Sequence, residues 1–92
     1  MNTPIQQVDV KLTNKQAAVI YCLQNGWCLI TSNESKGAWV AKDKFDFHIN
    51  NGIFWRLVRK GLIAQQLGHP WDYVLTRLGE TIKVKEFTLP QL

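Results

Sequence analysis

The chain has 92 residues, 46% of them hydrophobic, which is enough for one small domain around a single core and too little for two. Eleven Lys and Arg against seven Asp and Glu give a net charge of +4, a balance that favours an acidic partner. No apolar run reaches the roughly 20 residues that a bilayer-spanning helix needs, and Met1 to Leu12 alternates polar with apolar residues where a signal peptide would be continuous, so a cytoplasmic protein with no membrane partner is expected.

In chain order, Ile5, Val8, Val10 and Leu12 give a partial period of two, so residues 1–11 are read as an N-terminal arm or edge strand. Thr13-Asn14-Lys15-Gln16 has the form of a capping box, which predicts a helix over 14–24 with Ala17, Ile20, Tyr21 and Leu23 on its apolar side. Asn25-Gly26 supplies the left-handed residue that ends such a helix. Residues 27–31 and 37–41 are β-prone runs flanking the polar segment 32–36, as in a hairpin. Between 42 and 48, charges alternate with Phe45 and Phe47, and either a strand end or a short helix satisfies the pattern. Asn50 or Asn51 can cap a second helix, whose core face is Phe54, Leu57 and Val58 and whose end is Gly61. Residues 62–64 and 73–75 are short β-prone runs, with Leu67-Gly68-His69-Pro70-Trp71 as the loop between them. Thr76 can cap a last helix over 77–85, with Leu78, Ile82 and the Lys85 stem inward, and 87–92 reads as a tail.

Four features now stand in order: Leu12-Thr13-Asn14-Lys15-Gln16, Gly26, Leu57 through Ile63, and Tyr73-Val74-Leu75-Thr76-Arg77-Leu78-Gly79. In this the chain resembles small bacterial and phage winged helix-turn-helix proteins, over roughly residues 12–85. The resemblance implies an α+β fold in which residues 12–86 form the domain and a β-hairpin separates the first helix from the recognition helix at about 51–60. It also implies a wing tip at 67–71 and a role as a small transcriptional regulator of a bacterium or mobile element. Double-stranded DNA is the implied partner, and small winged helices often bind as homodimers across two half-sites.

Placing Phe54, Leu57 and Val58 inward leaves Trp55, Arg56, Arg59 and Lys60 on the open side of the second helix, with Asn51 near its start. These five are the candidate DNA-binding residues. Asn can pair with adenine and Arg with guanine edges in the major groove, and no acid falls between Asn50 and Leu62. Lys42, Lys44, Lys83 and Lys85 would add phosphate attraction. His69 and Trp71 are candidate wing or partner contacts, and the large exposed rings of Trp55 and Trp71 equally suit a protein-interaction module built on the same scaffold, such as a phage inhibitor of a host complex. Trp27 and Trp39 are expected in the core or paired across strands.

Catalysis is not expected. His48 and His69 stand apart with no ligand spacing around them, and Asp43 and Asp46 sit among lysines as a solvated segment would. There is no phosphate loop or nucleophile elbow, so no cofactor or metal is expected either. Cys22 and Cys28 match neither a redox pair nor a zinc half-site and are read as reduced, buried small hydrophobes.

Overall fold

The computed structural model describes residues 12–31 and 37–84. Its elements run α1 (Asn14–Gln24), β1 (Cys28–Ile30), β2 (Gly37–Lys42), β3 (Phe45–Asn50), α2 (Asn51–Arg59), β4 (Ile63–Gln66), β5 (His69–Leu75) and α3 (Arg77–Thr81). The fold is α+β, with one five-stranded antiparallel sheet in the order β3-β2-β1-β5-β4. The expected arm at 1–11, the segment 32–36 and the tail at 87–92 lie outside the described residues.

Both longer helices start and stop for reasons written in local residues. At α1, Thr13 Oγ accepts the Gln16 N–H at 3.2 Å while the Thr13 N–H donates to Gln16 Oε1 at 3.1 Å, so the capping box is complete. At its other end the Trp27 N–H reaches Cys22 O at 3.0 Å across Gly26, whose φ of +93° suits a residue without Cβ. α2 repeats this ending: the Leu62 N–H reaches Leu57 O at 3.1 Å across Gly61 at φ +76°. Leu57 and Leu62 are both fully buried, which adds the apolar contact that accompanies this motif.

Strand alternation decides what lies between helices and sheet. Leu29, Ala38, Val40, Ile49 and Ile63 point inward and form one cluster with Val19, Ile20 and Cys22 of α1 and with Phe54 and Leu57 of α2. Full burial of each large aliphatic chain here contributes about 1.5–3 kcal/mol. Phe54 also meets Tyr73 edge to face, with ring centres 4.8 Å apart, which ties α2 to β5.

Several sequence expectations change in the structure. Residues 42–48 resolve as a tight β2–β3 hairpin, turned by Asp43 at φ 55° and Lys44, because Asp tolerates the left-handed region better than most residues. The chain therefore enters α2 from a strand, and three strands separate α1 from α2. The loop expected at 67–71 is shorter: β4 and β5 extend to a two-residue turn at Leu67-Gly68, and His69, Pro70 and Trp71 are strand residues. Pro70 is accommodated beside a register shift at Gln65/Gln66, where the missing N–H breaks no regular ladder.

α3 stops at Thr81 instead of running to 85. The Gln24 side-chain amide donates to Gly79 O at 3.0 Å and to Ile82 O at 2.9 Å, so carbonyls that a longer helix would use are already taken. The β-branched residues Thr81, Ile82 and Val84 favour the same outcome. On α1, Tyr21 is exposed while Ala18, Val19 and Cys22 are buried, so the apolar side is broader and turned from the expected one. Cys22 and Cys28 are free thiols, but only Cys22 is buried; Cys28 points outward from β1.

Candidate nucleic-acid interface

Asn50 opens α2 by accepting the Ile53 N–H on its Oδ1 at 2.9 Å. With that start fixed, helical geometry sends Phe54 and Leu57 into the core and leaves Ile53 and Val58 half-buried. Asn51, Gly52, Trp55, Arg56 and Arg59 are exposed, and Lys60 is half-buried just past the last turn. Four of the five candidate residues are thus exposed on α2, and the fifth, Lys60, is its C-cap. Trp55 keeps 49% exposure and packs on the Phe54 ring edge to face at 4.9 Å.

A groove of about 450 Å³ runs beside this helix, lined by Leu12, Thr13, Gln16, Arg56, Arg59 and Lys60. Its two walls are the N-terminus of α1 and the last turn of α2. Among the described residues the lining holds three cations and no acid, and α1 has no acidic residue in its first turn. Arg56 and Arg59 also face the negative end of the α2 dipole, which helps keep two like charges side by side. The remaining cations named from the sequence lie outside this lining. Lys15, Lys44 and Lys83 are exposed, whereas the Lys42 ammonium donates to Asn25 O at 3.3 Å, and Lys85 lies outside the described residues.

The β4–β5 hairpin is chemically different. Leu67 stands at its tip with 96% exposure, and from Ile63 to Leu75 there is no Lys or Arg. His69 and Asp72 approach to 3.8 Å, and both remain largely in solvent. Trp71 is 45% exposed along β5, where its carbonyl accepts the Thr31 N–H at 2.7 Å. Neither His69 nor Trp71 occupies the tip assigned to it from sequence.

The surface that sequence reasoning missed is the outer side of the sheet. By the cross-strand register, Cys28 and Ile30 of β1, Trp39 and Ala41 of β2, Asp46 and His48 of β3, and Asp72 and Val74 of β5 share that side. Trp39 lies there rather than in the core, paired across the strands with His48 at a ring separation of 5.0 Å, whereas Trp27 packs on Phe47 at 6.0 Å. The signal was present in the alternation of Ala38 and Val40 with Trp39. Among the described residues no group of three metal-ligating side chains assembles, and no helix is long and apolar enough to cross a membrane.

No protein-family model matches this chain, and no curated protein or solved structure shows significant similarity to it.

Proposed function

We propose that this protein binds double-stranded DNA through the exposed side of α2, as a winged-helix protein with a sequence-reading, regulatory role. The observation that carries the reading is the pair Arg56 and Arg59, exposed on α2 and lining the adjoining groove, in a stretch from Asn51 to Gly61 that contains no acid. Asn51, Trp55, Arg56 and Arg59 would face the major groove, where Asn and Arg can make paired hydrogen bonds to base edges and Trp can cover a thymine methyl. The chain order supports this plan: α1, β1, α2 and a β4–β5 hairpin follow one another, and β1 lies beside β5. In this reading the β2–β3 hairpin takes the place of the helix that normally precedes the recognition helix, and the uncharged wing contributes little to phosphate binding.

Binding of mixed genomic DNA fragments at two salt concentrations tests the proposal, because displacement of counterions from phosphates makes affinity fall steeply with salt. Absence of binding at low salt would refute it. A second reading is favoured by the exposure of Trp55, Trp71 and Leu67: the same scaffold gripping a protein partner through apolar anchors. A nuclease-treated pull-down that returns one stoichiometric protein, lost when Trp55 and Trp71 are changed to Ser, would select that reading.

A further inference from the structure

We infer that the groove between the N-terminus of α1 and the last turn of α2 is a seat for one backbone phosphate, so that α1 clamps the nucleic acid that α2 reads. The inference rests on the proposed binding mode of α2 and adds a second element to it.

Three independent features converge on an anion at this place. Arg56 and Arg59 supply positive charge from α2. From the opposite wall, the 11-residue α1 directs its N-terminal dipole into the same space, where the Lys15 N–H, second in the helix, has no acceptor within the helix. Gln16 completes the set. It is 3% exposed and lines the groove; its Oε1 is held by the Thr13 N–H, and its Nε2 finds no acceptor among the described residues. A buried amide N–H without an acceptor costs free energy unless a ligand supplies one. A phosphate oxygen would do so.

The choice of residue at this position fits the same chemistry. A capping box accepts Glu or Gln at its third position, and Glu would ordinarily stabilise the helix more by meeting its dipole. Gln16 keeps the cap and adds no negative charge to the groove. Thr13 does likewise where Asp would cap equally well.

Two charge-adding, cap-preserving variants test the seat: Thr13→Asp, at an exposed position, and Gln16→Glu. The probe is a mixed-sequence 20-base-pair duplex, with its affinity measured across a salt series. Each variant is expected to bind about tenfold more weakly at low salt and to lose about 0.9 from the slope of log affinity against log salt, as expected when one phosphate fewer is neutralised. Thr13→Asn, which caps without charge, should bind like the parent. Unchanged affinity and slope for Thr13→Asp, in a protein where Arg59→Ala still weakens binding, would overturn the seat and leave the α2 reading standing. A parent protein that does not bind the duplex would overturn both. If burial of the new carboxylate in Gln16→Glu unfolds the chain, Thr13→Asp alone decides, because its side chain lies in solvent.

Discussion

The two sides of this molecule are built from one core and carry opposite chemistry. Among the described residues, the helix side presents Arg56, Arg59 and Lys60 around a groove lined by no acid, whereas the outward strand positions of the sheet carry Asp46 and Asp72 and no Lys or Arg. At the centre of that sheet side are Trp39, Ile30 and Val74, each more than a third exposed. Net charge alone does not show this arrangement: among the described residues Lys15, Arg56, Arg59 and Arg77 lie on helices, Lys44 lies in a turn, and Lys42 ends β2 off the outer side.

The largest effect should come from breaking what the two sides share. Leu57→Ala removes a fully buried side chain between α2 and the sheet and should cost about 2–5 kcal/mol, a large part of the stability of a domain this small. Urea denaturation would measure it, and loss of DNA binding should follow unfolding rather than precede it. Gly79→Ala belongs to the same class: a Cβ there overlaps the Leu62 carbonyl and the Leu75 side chain, so α3 must move off the core, at about 1–3 kcal/mol.

Next comes a change on one side only. Arg56→Ala with Arg59→Ala should weaken duplex binding by about a hundredfold at low salt, taking about 1–3 kcal/mol per contact, while the melting temperature stays near the parent value because both side chains are exposed. An unchanged affinity would remove α2 from the interface.

The cysteines sharpen the contrast at smaller scale. Cys28 on the outer side should be alkylated at least about tenfold faster than Cys22, since exposure and thiolate access set the rate. Burial pushes the Cys22 thiol above its ordinary value of 9.0. The folded state thus prefers the protonated thiol, so this contribution to stability is complete below pH 9.0 and declines as pH rises through the higher folded value. Melting from pH 8 to 10 should fall more in the parent than in Cys22→Ala. Smallest of all, Gly61→Ala should cost about 1 kcal/mol, from left-handed strain alone, because no neighbour lies within 4 Å of the added Cβ.

What the sequence disclosed follows from how local each cause is. Both helix starts and both glycine endings were legible, because Thr13, Gln16, Asn50, Gly26 and Gly61 act on backbone groups a few residues away. The open side of α2 was legible for the same reason, through helical spacing. The groove was not, since it exists only where α1 and α2 meet, 40 and more residues apart in sequence. The early end of α3 depends on Gln24 reaching Ile82, a bond across 58 positions. Asp43, by contrast, was a local turn signal hidden by the alternating charges around it.

The central claim is that nucleic acid meets the helix side and not the sheet side. One salt-series titration of a mixed-sequence duplex, run in parallel on the Arg56→Ala/Arg59→Ala variant and on a Trp39→Ser/Val74→Ser variant, tests it directly. The account predicts that the first variant loses affinity and salt dependence together, while the second binds like the parent. Equal losses in the two, or loss only in the sheet variant, would contradict it.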